Sequence, residues 1–196
     1  MNDLPRLARR PFALAALGLL GACTMPPPPV ATLPEATGGR ALLDPARQAI
    51  FHTASVFASR TRLAGRPAEA AQAIAEAEFL AVELRHNSRW TEMEPLAQVA
   101  FEQARPEWRA ALGIAADAPP QAVIDAMTRV RLAYAGQDPA AAAAALAPPL
   151  VTPGGAAALA RLAALPPLPR TARAASMAEQ ELWRIQREGN RERLWP

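Results

Sequence analysis

Residues 67–87, PAEAAQAIAEAEFLAVELRHN, decide the fold of this chain. Apolar residues recur there every three or four positions, which predicts an α-helix with one continuous apolar face. That face comprises Ala70, Ala73, Ile74, Ala77, Leu80, Ala81 and Leu84, and Glu69, Glu76 and Glu83 line one border of it. Phe79, Val82 and His86 lie on the back of the helix. We therefore predict that other helices cover this one from both sides, as they would cover a central helix.

Capping side chains followed by proline predict where the neighbouring helices begin. Asp44, Asp138 and Thr152 each precede a proline. Such a pair starts a helix because the side chain accepts a backbone N–H and proline fits the first helical position. Thr91 and Glu94 have the spacing of a capping box, which predicts another helix start at that point.

Glycines predict where helices end, and the two clearest stops are Gly136 and Gly189. The predicted helices cover residues 45–63, 67–87, 92–104, 106–113, 120–135, 139–146, 153–164 and 172–188. No stretch alternates apolar and polar residues with β-branched side chains, so we expect no sheet. The predicted fold class is all-α: one compact, alanine-rich bundle of about seven or eight short helices within residues 44–196, ending in a short C-terminal tail. Larger apolar side chains, Leu96 among them, are expected to complete its core.

Charge and composition exclude several classes of function. All 21 basic residues are arginine. A phosphate-binding P-loop requires a lysine, and so does Schiff-base or pyridoxal-phosphate chemistry, so neither fits this chain. The net charge of +3 falls to +1 once residues 1–22, with three arginines and one aspartate, are set aside. A nearly neutral domain is not expected to bind nucleic acid.

The first apolar run of the chain ends in Leu20-Gly21-Ala22-Cys23. Arginines precede this run, a pattern typical of a secretory signal, and the run at residues 12–22 is shorter than the roughly 20 residues that a membrane-spanning helix needs. The four residues resemble the lipobox of bacterial lipoproteins. The resemblance implies that residues 1–22 are a signal peptide and that Cys23, the only cysteine, carries a lipid. The alternative is a buried free cysteine in an N-terminal helix.

The residues around the lipobox bear on export and destination. Arg9 and Arg10 resemble the twin-arginine export signal, so both that route and general secretion remain open. Thr24 stands where an aspartate would retain an enteric lipoprotein in the inner membrane. The resemblance therefore implies a lipid-anchored protein of the cell envelope, at the outer membrane and facing the periplasm.

Residues 23–43 are predicted to be a tether between the lipidated cysteine and the bundle. Residues 26–29 are consecutive prolines, which cannot form a helix because proline fixes φ and lacks an N–H. An extended proline-rich tether rises about 3.1 Å per residue, so it would hold the bundle up to roughly 60 Å from the membrane.

Catalytic and metal-binding motifs are incomplete. Glu83 and His86 have the Glu-x-x-His spacing of di-iron bundles, but such a site needs two of these motifs. The only other histidine, His52, has Ala49 three residues before it. We therefore interpret His86 as a surface or packed histidine beside an acid. No serine stands in a Gly-x-Ser-x-Gly motif, and we predict no catalytic residue, metal or cofactor.

Each of the four tryptophans lies near an arginine, a pairing that protein interfaces favour. Trp90 and Trp108 are expected to close the edge of the bundle, with an arginine over the ring. The basic C-terminal end has little chain left to cover its own aromatic residues. The candidate contact surface for a partner is therefore Trp183, Arg184, Arg187, Leu194 and Trp195.

The function predicted from these observations is that of a non-enzymatic lipoprotein. Its lipid would hold it to the membrane, and its helical domain would bind or scaffold another envelope protein. The alternative is an enzyme or ligand carrier that uses a cleft between helices.

The lipobox makes a direct prediction about Cys23. Cys23→Ala removes the sulfur that would carry the lipid, so the variant should stay soluble in the periplasm or remain uncleaved in the inner membrane. Detergent phase partition of the mature wild-type protein measures this. Wild-type protein in the aqueous phase would show that Cys23 carries no lipid.

Overall fold

The structure, a computed structural model, describes residues 29–34 and 44–194, with the backbone alone for residues 60 and 190–194. Cys23 and Trp195 lie outside the described residues, as do the whole of the leader and most of the tether. Seven α-helices occur in the described part: α1 Pro45–Phe57, α2 Pro67–His86, α3 Pro95–Leu112, α4 Pro120–Ala135, α5 Pro139–Ala144, α6 Ala156–Ala163 and α7 Pro169–Leu194. Two 3₁₀ turns, Arg60–Arg62 and Ser88–Trp90, lie on either side of α2.

The all-α prediction is confirmed. The described residues contain no strand, and their only extended pairing is an isolated antiparallel bridge between Ile114 and Val151. Gly113, which ends α3 in the left-handed conformation at φ 73°, allows this close approach because a Cβ there would lie 2.2 Å from the Thr152 carbonyl oxygen.

Helix α2 is the central helix, as its pattern predicts. It contacts α1, α3, α4 and α6, while α7 packs across α1 and α3. Ala70, Ala73 and Ala77 are fully buried, and so are the larger side chains Ile74 and Leu80. Phe79 and Val82, on the back of the helix, are buried as well, which confirms that α2 is covered from both sides. His86, at the end of the helix, is exposed.

Two of the predicted helix starts are confirmed by their caps. The Asp44 carboxylate accepts the Ala46 N–H at 3.0 Å before α1, and the Asp138 carboxylate accepts the Ala141 N–H at 2.9 Å before α5. Gly136 also follows α4 as predicted, and its N–H donates to the Leu132 carbonyl at 2.9 Å. In these places a residue next to the helix in the chain supplies the cap.

Two other predicted starts are wrong because the chain makes different contacts there. Helix α3 begins at Pro95, and the N–H of its N-cap residue Glu94 donates to Glu181 on α7 rather than to a Thr91 capping box. Helix α6 begins at Ala156, since Thr152 is drawn into the bridge, where its N–H donates to the Gly113 carbonyl at 2.8 Å. Leu96, expected in the core, is 61% exposed on the first turn of α3.

Helix α7 is longer than predicted at both ends. It begins at Pro169 because Glu107 of α3 caps it from outside: its carboxylate accepts the N–H groups of Arg170 and Thr171 at 3.0 and 2.8 Å. It also continues through Gly189 to Leu194, so the predicted stop at Gly189 is wrong. Glycine lowers helix stability by about 1 kcal/mol relative to alanine, but it does not by itself end a helix.

The sequence suggested that Pro106 separates two helices, but Pro106 lies inside the single helix α3. The helix remains continuous because of a negatively charged residue of α2, Glu78. Arg105 and Arg109, on either side of the proline, both pair with Glu78 of α2, at 3.3 and 2.7 Å. These contacts hold both halves of α3 against α2, so the helix tolerates the lost hydrogen bond of the proline.

Glu78 is fully buried, and every contact of its carboxylate is with α3. Arg109 donates from Nε and Nη2 at 2.7 and 2.8 Å, and the fully buried Trp108 donates from its indole at 2.9 Å. Arg109 also donates to the carbonyls of Ala116 and Ala118, both at 2.9 Å. Nothing in the helical pattern of residues 67–87 distinguishes Glu78 from the other acids of α2, so sequence analysis missed it.

Residues 29–34, which the sequence placed in the tether, lie against the bundle. Thr32 donates its backbone N–H to the Gln121 side chain of α4 at 2.8 Å, and the Gln121 amide donates back to the Thr32 carbonyl at 3.1 Å. Ala31 is 8% exposed and belongs to the core, and Leu33 packs against the core from outside. We call residues 29–34 the strap.

Glu78→Gln should destabilise the protein strongly, because it leaves the buried guanidinium of Arg109 without its counter-charge. Losing one partner of a buried ion pair costs about 3–5 kcal/mol. Chemical denaturation measures the free energy of unfolding. The matched control is Glu102→Gln, since Glu102 is 44% exposed and only 3.6 Å from Arg85; it should change the stability by about 0.5 kcal/mol or less. Equal losses in the two variants would contradict the role assigned to Glu78.

Candidate functional site

Trp183 lies on the outer stripe of α7. Thr171, Ala174, Ala175, Ala178 and Leu182 face the bundle and are buried. The opposite stripe is exposed and otherwise polar: Arg173, Ser176, Gln180 and Arg187. Trp183 is 47% exposed on that stripe. An indole in such a position leaves a large apolar surface in contact with water.

Phe51 of α1 holds the Trp183 ring in place. The two ring centroids are 5.3 Å apart and the ring planes are inclined by 54°. Such tilted aromatic pairs contribute about 0.5–1.5 kcal/mol beyond their buried area. Phe51 is itself only partly buried, so the two rings form one surface shared by α1 and α7. Sequence analysis missed Phe51, although its place beside the buried Ile50 on α1 puts it at the border of that helix's apolar face.

Arg184 is engaged within the protein. It donates to Glu181 at 2.8–3.2 Å, to Glu188 at 2.6 Å and to the Glu92 carbonyl at 2.6 Å. The hydrogen bonds with Glu181 raise the pKa of Arg184 above its ordinary value, and the same bonds lower the pKa of Glu181. Arg184, the residue after Trp183, therefore fastens α7 to the chain segment before α3.

The remaining predicted contact residues are only partly placed by the structure. Arg187 is exposed one helical turn beyond Trp183. Leu194 is the last residue of α7, but its side chain lies outside the description, and so does all of Trp195. The structure thus brings together Phe51, Trp183 and Arg187, and we call these three residues the Trp183 surface.

The other two described tryptophans belong to the bundle, as predicted. Trp90 is 5% exposed, with the Arg89 guanidinium 4.6 Å from its ring centroid. Its indole donates to Glu83 at 3.0 Å. Trp108 is buried deeper than an edge position, within the Glu78 network. Trp183 is therefore the described tryptophan that is available for contact.

His52 lies between two carboxylates of α2. Its Nδ1 contacts Glu76, and its Nε2 lies 2.9 Å from Glu69. Gln72 donates to the other oxygen of Glu76 at 2.9 Å. Sequence analysis did not find this pairing, although Glu69 and Glu76 are seven residues apart on the border of the α2 face. The signal was present, but the partner on α1 could be identified only from the fold.

This arrangement keeps His52 protonated. Burial lowers the pKa of His52, but the hydrogen bonds and negative charges of Glu76 and Glu69 outweigh it and raise the pKa from 6.5 to about 9. The two carboxylates lie on opposite ring nitrogens and do not converge on one point. The site is therefore an ion-pair clamp between α1 and α2, and not a metal site.

The described residues line two hollows on the surface of the bundle. One, of about 260 Å³, is lined by the strap and by the end of α2, including Glu83 and His86. Its Glu83 carboxylate already accepts from Trp90 at 3.0 Å and from Asn87 at 3.1 Å, and pairs with Arg89 at 2.8 Å. The other, of about 140 Å³, is mostly apolar and lies between the end of α1 and residues 165–169, which form the loop before α7 and its first residue.

No protein-family model, curated protein or solved structure matches this chain. Among the described residues, no cluster of His, Cys, Asp or Glu is arranged to hold a metal ion. Within that part of the chain, no helix combines the length and the apolar character that a bilayer-spanning helix requires.

The His52 clamp predicts a stability that falls at alkaline pH. Its pKa is about 9 in the fold against 6.5 for an ordinary histidine, so its contribution is complete below pH 6.5 and is lost between pH 6.5 and 9. The loss is on the order of 3 kcal/mol. Melting temperatures across this range should fall more steeply for the wild type than for His52→Gln. His86→Gln, at an exposed histidine, is the control and should follow the wild type; parallel curves for wild type and His52→Gln would contradict the clamp.

Proposed function

We propose that this chain is a lipid-anchored protein of the bacterial cell envelope whose helical bundle binds or scaffolds another envelope protein through the Trp183 surface. The lipobox at residues 20–23 supports the anchor, and Thr24 supports the outer membrane, facing the periplasm. The observation that carries the binding role is the exposed Trp183 ring on an otherwise polar stripe of α7.

The Trp183 surface is suited to binding because it is already ordered. The Phe51 ring supports the indole, and Arg184 fastens the same turn of α7 through Glu181 and the Glu92 carbonyl. Tryptophan and arginine dominate the binding energy of many protein interfaces. A side chain that is already ordered loses less conformational entropy when a partner covers it. Arg187, one turn away, adds a charge that would pair with an acidic group of the partner.

The alternative function, a ligand carrier or enzyme, is favoured by one observation. Glu83 and His86 both line the hollow beside the strap. The Glu83 carboxylate, however, already has hydrogen-bond and ion-pair partners in Trp90, Asn87 and Arg89. A carboxylate so engaged is a poor general base, so we place this function second.

Trp183→Ser should abolish binding of the partner while leaving the bundle folded. The lipidated, tagged protein would be cross-linked and purified from its own envelope, and the associated protein quantified. The matched control is Leu132→Ser, because Leu132 on α4 is 46% exposed, almost the same as Trp183, but lies on another helix. We expect the associated protein to be lost with Trp183→Ser and retained with Leu132→Ser.

The opposite outcome is equally clear. Equal recovery of the associated protein with both variants would remove the Trp183 surface from the proposal. Far-ultraviolet circular dichroism of both variants verifies that the helices remain, because Trp183→Ser removes both the buried half of the ring and its pairing with Phe51, a loss of about 2–4 kcal/mol.

A further inference from the structure

The strap joins the N-terminal segment to one particular end of the bundle. Its first residues, Pro29 to Ala31, line the hollow beside His86 and Ser88, at the C-terminal end of α2. Thr32 then pairs in both directions with Gln121, at the start of α4. The Asp125 carboxylate accepts the Gln121 amide at 2.8 Å and so orients it for this pairing.

The fixed strap shortens the free part of the tether. Cys23 is six positions before Pro29 in the chain. Even a fully extended chain advances at most about 3.3–3.6 Å per residue, so Cys23 lies within roughly 20 Å of Pro29 whatever the conformation between them. The sequence alone suggested a tether that is free as far as Asp44, and such a tether would let the bundle lie much farther from the membrane.

We propose that the strap turns the end of the bundle formed by the C-terminus of α2 and the 3₁₀ turn Ser88–Trp90 toward the membrane. This rests on the proposed lipid at Cys23. A lipidated Cys23 lies at the membrane surface, and the strap then keeps this end of the bundle within about 20 Å of it. The opposite end lies about 30 Å farther along the 20 residues of α2, beside Gly65.

The orientation also defines where the partner must be. Arg184 donates to the Glu92 carbonyl, close to the Ser88–Trp90 turn, whereas Phe51 adjoins His52, which contacts Glu69 and Glu76 in the N-terminal half of α2. The Trp183 surface therefore lies along the side of the bundle, between its two ends. A partner that covers it would contact the side of the bundle and not the end that the strap turns toward the membrane.

Energy transfer to a labelled membrane tests the orientation. The full-length lipidated protein would be inserted into vesicles of phosphatidylethanolamine and phosphatidylglycerol that contain an acceptor-labelled lipid. A donor is attached at Ser88→Cys, at the end of α2, or at Ala64→Cys, next to Gly65; both positions are exposed. The thiol of Cys23 is blocked by its lipid and takes no label. We expect severalfold stronger transfer from position 88 than from position 64.

Releasing the strap should remove this difference. Gln121→Ala removes the three hydrogen bonds to Thr32, and Ala31→Glu places a charge at a buried position, so the double variant frees the strap while every residue of α2 stays unchanged. Gln103→Ala, at an exposed glutamine of α3, is the matched control and should leave the difference intact. Hydrogen exchange at the Thr32 amide, protected only while the strap is docked, verifies the release.

Two outcomes would overturn the inference, and they differ. Equal transfer from positions 88 and 64 in vesicle-bound wild-type protein would show that the strap does not orient the bundle, while leaving the lipid anchor in place. Protein that stays off the vesicles would overturn the lipid anchor itself and the orientation with it.

Discussion

The buried carboxylate of Glu78 is the interaction on which the rest of the bundle depends. A charge in an apolar core is costly unless it is paired and hydrogen-bonded, and Glu78 satisfies this through Arg105, Trp108 and Arg109 of one helix. These contacts hold α3 against α2 and allow α3 to continue through Pro106. It also positions Glu107, whose carboxylate caps α7, and α7 carries the Trp183 surface. One acid on the central helix thus determines the placement of the helix that presents the candidate site.

The sequence predicted those parts of the fold that depend on neighbouring residues. Asp44 and Asp138 cap their own helices, and the period of apolar residues in α2 identified the helix that others cover. Predictions failed where the partner is distant in the chain. The N–H of Glu94 is satisfied by Glu181, α7 is capped by Glu107, and Thr152 donates its N–H to the Gly113 carbonyl. A pattern of neighbouring residues cannot reveal contacts between residues that are far apart in the chain.

The candidate functional site was likewise predictable only where it depends on neighbouring residues in the chain. Trp183 could be selected from its position near a basic end of the chain, but its support by Phe51 requires the packing of α1 on α7. Glu69, Glu76 and His52 were each visible in the sequence, and only the fold brings the histidine between the acids. The strap shows this most clearly. Its proline-rich sequence predicts a spacer, and only the fold reveals its hydrogen bonds with Gln121.

The alanine face of α2 has a consequence for how this protein can evolve. Ala70, Ala71, Ala73 and Ala77 are fully buried where other helices approach α2. Alanine is the smallest residue with a side chain, and glycine, the only smaller one, would weaken the helix. Any larger residue would push a neighbouring helix outward, and overpacking of this kind typically costs about 1–3 kcal/mol. Substitutions can accumulate on the outer surfaces, but the centre of the bundle can change only if two helices change together.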